Sequence, residues 1–125
     1  MKLFLSLGAL SGFIAVAAGA FGAHGLEGHA GARELAWIET GARYQMYHAL
    51  ALIAVAWLAD RAPSRAVTVA GWSFVIGTLL FTGSLYVMGL TGSRAPAFAV
   101  PVGGFGLLIG WLALFVAVLK IDKPR

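Results

Sequence analysis

Four charge-free intervals constrain this chain before anything else: 3–26, 44–59, 66–93 and 95–119 of its 125 residues. A helix crossing the hydrocarbon of a bilayer needs about 20 apolar residues. The first, third and fourth intervals reach that length, whereas the second must borrow a turn from its flank. Only 11% of the residues are charged and 60% are hydrophobic, against about 25% charged in a globular chain. The sequence therefore predicts an all-α integral membrane four-helix bundle in a single domain. Its helices are expected over about 3–22, 42–59, 66–90 and 101–119, with a short amphipathic helical segment between the first two.

The first helix carries Gly8, Gly12, Ala15, Gly19 and Gly22 at spacings of three and four, so these small residues line one face. Such a face lets another backbone approach closely, which is how helices associate where lipid removes the hydrophobic drive. Gly106 and Gly110, beside Gly103, repeat the signal on the fourth helix. Lys2 and the small residues Ala18, Gly19 and Ala20 fit a signal peptide loosely. The apolar run exceeds the usual core of about 7–15 residues, so it is expected to stay as a helix. The connection 23–43 is the long polar one. Within it, 32–42 reads as amphipathic, with Glu39 and Arg43 in favourable i,i+4 order and Trp37 expected at headgroup depth. Gly41 reads as a joint before the second helix, and the segment either lies on the membrane surface or extends that helix. Pro63 ends the second helix after Asp60 and Arg61, and Pro101 suits the first turn of the fourth.

With four crossings, one side of the membrane holds Lys2, Arg61, Arg65, Lys120, Lys123 and Arg125, and the other Arg33, Arg43 and Arg94. Basic residues favour the cytoplasm, so both termini are expected there, at a bacterial inner membrane. The net charge of +4 is scattered over short loops and forms no basic patch, which argues against a nucleic-acid partner. Cysteine is absent, which excludes disulfides, thiolate chemistry and covalent haem attachment through this chain.

That orientation gathers polar residues at the outer end. His24 follows the first helix; Arg43, Tyr44, Gln45, Tyr47 and His48 open the second; Ser84 and Tyr86 lie in the outer part of the third. Unpartnered in hydrocarbon, each polar group would cost roughly 2–7 kcal/mol, so they should turn inward and bond one another. The expectation is that His24 and His48 lie in the bundle, within reach of each other or of Tyr86. One reading of this cluster is structural register between helices; the other is a site for haem, a quinone head or a metal. Two histidines are a weak metal signal, since structural zinc usually takes four ligands, and no metal site is expected. His29 reads as solvated. Phosphate loops, HExxH and paired intramembrane carboxylates do not occur, and all five acidic residues lie outside the apolar runs. No catalytic constellation is present, so the chain does not read as an enzyme. A transport path would need a polar lining, and only Thr78, Thr82 and Tyr86 of the third helix offer one.

GAFGAHGL at 19–26, RYQMYHALAL at 43–52, LFTGSLYVMGLTG at 80–92 and PVGG at 101–104 stand in order along the chain. Together they resemble the domain of unknown function 423 family of YgdD-like inner-membrane proteins. The resemblance covers essentially the whole chain and implies a four-helix membrane protein without assigned activity. Its motif positions here are Gly22, His24, Gly25, Arg43, Tyr44, Gln45, Tyr47, His48, Gly83, Ser84, Tyr86, Pro101 and Gly104, with Thr82 where the family pattern has Ser. The leading expectation is a non-enzymatic component without cofactor, surrounded by membrane lipid, that self-assembles or joins a membrane-protein partner through its glycine seams. The alternative is a binding protein for haem, quinone or another lipid-soluble ligand at the His/Tyr cluster.

Overall fold

The computed structural model describes residues 1–26, 28 and 30–121. Four helices account for almost all of them: α1 Lys2–Ala20, α2 Ala32–Arg61, α3 Arg65–Thr91 and α4 Ala99–Leu119. A π turn, Phe21–Gly25, extends α1, and a short 3-10 turn, Ala95–Phe98, leads into α4. The all-α bundle expected from the charge-free intervals is present. The expectation for His29 and the charges Glu27, Asp122, Lys123 and Arg125 lie outside the described residues.

Local chemistry explains where the helices stop. Ser64 caps α3 by accepting from the Val67 N–H at 3.2 Å, one of the orphan donors of a helix start. Gly92 ends α3 at φ +73° and donates its N–H to the Met88 carbonyl at 2.8 Å, a left-handed cap that glycine adopts without steric penalty. Pro101 sits in the first turn of α4, where a missing N–H breaks no intrahelical bond.

The amphipathic segment is not separate. It is the first third of α2, which runs unbroken through Gly41. Gly41 is no joint: a Cβ there would stand 2.9 Å from the Tyr86 ring, so its role is to make room for the phenol of α3. On this N-terminal extension Glu39 accepts from Arg43 at 2.7 Å, as the i,i+4 spacing predicts. Arg33 donates to Glu34 at 2.8 Å and holds that carboxyl below its ordinary range.

Packing is sequential, α1 on α2, α2 on α3 and α3 on α4. The glycine face of α1 lies against α2 in antiparallel register. A Cβ on Gly8 would stand 3.0 Å from the Ala49 carbonyl oxygen, and one on Gly22 would stand 3.0 Å from Ile38. Gly12 and Gly19 face the methyls of Ala49 and Ala42. The seam of α4 lies on α3 in the same way: Gly103 and Gly106 meet Gly77, and Gly110 receives the ring of Phe74. Both seams are therefore used inside the fold. The core they close contains Phe74, Val55 and Val67, with Phe4 of α1 reaching across to Gly71 and Trp72 of α3.

Candidate functional site

The polar residues of α2 and α3 divide into two groups on either side of the α2–α3 contact line, and the reason is helical geometry. Gly41 and Gln45 are one turn apart on the face of α2 that meets α3, so they share neighbours. Tyr86 donates its hydroxyl to Gln45 Oε1 at 2.7 Å, and Thr82 donates to the Gly41 carbonyl at 3.1 Å. Thr78, Thr82 and Tyr86 share one face, as their spacing of four predicts, and that face is turned into the protein against α2. Ser84 is buried.

Tyr44, Tyr47 and His48 turn the other way, towards α4. Trp111 donates its indole N–H to His48 Nε2 at 3.0 Å. An indole nitrogen can only donate, so Nε2 must be the acceptor and the proton sits on Nδ1. That Nδ1–H points at the Tyr44 carbonyl, 2.6 Å away. Both nitrogens of the buried imidazole are thereby committed, and the ring is held in one tautomer. Phe74 supports it from α3, with ring centroids 5.5 Å from His48 and 5.1 Å from Trp111.

Around this pair opens a groove of about 820 Å³ between α2 and α4, floored by Phe81 of α3. Tyr44 and Tyr47 line one wall; Pro101, Gly104, Phe105 and Leu108 line the other. Tyr44 packs on Phe81 at 4.9 Å between centroids and on Tyr47 at 5.7 Å. The tyrosines are 38% and 51% exposed, so the groove opens sideways into the surroundings of the bundle. Gly104 leaves it wide: the nearest atom to a Cβ there would be a Phe81 ring carbon at 3.9 Å.

The expected meeting of His24 with His48 or Tyr86 does not occur. His24 lies on the π turn after α1 and is exposed, whereas α1 packs on the flank of α2 away from the groove. Among the described residues no hydrogen bond joins His24 to either partner. Arg43 is likewise outside the cluster, exposed and paired with Glu39. Sequence reasoning missed Trp111, although a signal was present: an indole N–H in an apolar helix needs an acceptor, and His48 is the imidazole in the apolar part of α2. Among the described residues no three His, Asp or Glu side chains gather where a metal ion would bind.

The motif residues that build both groups fall within a matched family model. Residues 18–104 match the family described as "Protein of unknown function (DUF423)". The chain belongs to this family. It is 45% identical over 121 residues to the UPF0382 membrane protein YwdK of Bacillus subtilis, covering 96% of this chain and 98% of that one. It is 46% identical over 111 residues to a UPF0382 membrane protein of Haemophilus influenzae, covering 89% of each. With the UPF0382 inner membrane protein YgdD of Escherichia coli it shares 41% over 122 residues, covering 98% and 93%. No solved structure matches. Membership of DUF423 makes this a membrane protein of a family without assigned function, and three of its helical stretches, Lys2–Gly25, Arg65–Thr91 and Ala95–Leu119, are long and apolar enough to cross a bilayer.

Proposed function

We propose that this DUF423 chain is a non-enzymatic, multi-pass protein of the bacterial inner membrane that takes a lipid-soluble molecule with a flat polar head, of the quinone class, into the groove between α2 and α4. The observation that carries the reading is the make-up of the walls. Phe81, Phe105 and Trp111 line the groove with aromatic rings, and the partly exposed Tyr44 and Tyr47 add phenols. Such pockets bind by apolar contact and use a few polar groups to set orientation. A haem fits less well, because His48 has no free nitrogen and His24 stands elsewhere.

Assembly through the glycine seams has lost its motive, since both seams are buried against neighbouring helices of the same chain. The outward faces of α1 and α4 are apolar, and lipid satisfies such faces as well as a partner would.

Four crossings are part of the proposal. α2 is the least apolar helix, yet it lies alongside α1 from Gly8 to Gly22 and alongside α3. Arg33 and Arg94 cover the Trp37 ring at 4.9 and 5.9 Å, and Arg61 covers Trp57 at 5.3 Å. Those tryptophans are twenty residues apart in α2, about 30 Å at the α-helical rise of about 1.5 Å per residue. That equals the hydrocarbon thickness, and Trp favours both of its borders. The excess of Lys and Arg at the Arg61 end supports the reading that both termini are cytoplasmic.

The test is to purify the full chain from its own membrane in mild detergent and extract it for mass spectrometry, then titrate with a short-chain quinone while following tryptophan fluorescence. A near-stoichiometric quinone and saturable quenching are expected, both lost in Gly104→Leu, whose Cβ meets nothing closer than a Phe81 ring carbon at 3.9 Å and whose branch occupies groove space. Equal quenching of wild type and Gly104→Leu, with nothing extracted, sinks the proposal.

A further inference from the structure

A second, smaller cavity of about 140 Å³ lies across the α2–α3 contact line from the groove, where α1, α2 and α3 meet. Its rim is hydrocarbon, including Leu10, Ile14 and Leu79, but each helix adds one polar side chain to its wall: Ser11, Gln45 and Thr78. Thr78 is the central residue of α3, so this polar wall stands near the middle of the membrane span.

The hydroxyl of Thr78 is buried and has no hydrogen-bond partner. A helical threonine has a ready alternative, the carbonyl four residues back. Thr68 and Thr91 use it, donating to Ser64 and Val87 at 3.3 and 2.7 Å. Thr78 does not. Gln45 is also buried, with its Oε1 taken by Tyr86, and its amide carries two further donors to be met. A site with donors to satisfy, an unpaired hydroxyl and room beyond the roughly 10–15 Å³ that one water requires has the properties of an internal hydration site.

We infer that the junction of α1, α2 and α3 binds water at mid-membrane, with Ser11, Gln45 and Thr78 as its protein partners. Water accepts from the Gln45 amide and meets the Thr78 hydroxyl, doing for α1 and α3 here what Phe4 and Gly71 do by direct contact at the cytoplasmic end. The inference is independent of what occupies the groove.

The test uses the full chain in phosphatidylcholine nanodiscs and magnetisation transfer from water and from lipid to side chains. Water cross-peaks are expected at the Gln45 amide and the Thr78 methyl. Acyl-chain cross-peaks at Thr78, or no water cross-peaks at either group, overturn the inference, the former by making lipid the occupant. Melting in detergent supplies a second reading. Thr78→Val removes a hydroxyl that water holds, so the midpoint falls, and Ser11→Ala lowers it in the same direction. A dry cavity gives the opposite sign for Thr78→Val, because a methyl relieves an unmet hydroxyl; an unchanged or raised midpoint therefore counts against hydration.

Discussion

His48 shows most plainly how one residue acts in this molecule. Its two ring nitrogens join a carbonyl of its own helix to an indole of α4, so it serves as a fixed spacer and not as a free base. A nitrogen-resolved spectrum should find the proton on Nδ1 alone. Trp111→Phe keeps the ring contact with Phe74 but leaves Nε2 unpaired, and is expected to cost about 1 kcal/mol in detergent unfolding. Tyr86→Phe removes the bond to Gln45 and should cost about 0.6 kcal/mol, with roughly 1.7 as the ceiling for such interhelical bonds. The need for these bonds was legible in the sequence, since Gln45, His48 and Tyr86 could not stay unpaired in hydrocarbon. The partners were not. Spacing shows which residues share a face of one helix, but whether that face meets α3 or α4 depends on rotations that one helix does not encode. His24 illustrates the failure: depth along the chain placed it beside His48, and the packing of α1 took it to the exposed side.

Helices here are joined by absence of side chains. The α3–α4 seam is the tightest, and a Cβ on Gly77 would stand 2.9 Å from the Leu107 amide nitrogen and 3.0 Å from the Gly103 carbonyl. Both obstacles are backbone and cannot rotate away. Gly77→Ala should therefore push α3 and α4 apart and destabilise by about 1–3 kcal/mol, the range for overpacked cores, read as a lower unfolding midpoint; Gly83→Ala, with open space around it, is the matched control. The glycine stripes themselves could be read from spacing alone, because three-and-four periodicity is a property of one helix. Their destination could not, and a seam for a second molecule looks the same in sequence as one for the neighbouring helix. Gly41 misled for a related reason: a glycine before an apolar run has the signature of a joint, whereas here it clears a path for a ring from α3.

At the scale of the whole molecule, the arrangement is two glycine-sealed hairpins, α1–α2 and α3–α4, held together along α2–α3. A reporter that is active only outside the cytoplasm should be silent when fused after Arg125 and active when placed in the 91–96 connection; activity at both positions would contradict four crossings. The charge asymmetry behind this was plain in the sequence, whereas the continuity of α2 was not, because its first third is amphipathic and it is the least apolar of the four helices. The guanidinium-covered tryptophans at either end of that helix have a further consequence. In the proposed four-crossing arrangement they act as a gauge with fixed marks, and a bilayer whose thickness differs from it is expected to deform or to tilt the protein at a cost of fractions of a kcal/mol per Å. Reconstituted into lipids of increasing chain length, the protein should be most heat-resistant where the acyl region matches the distance between those two marks, so membrane composition, acting through geometry alone, sets how firmly the hairpins stay closed.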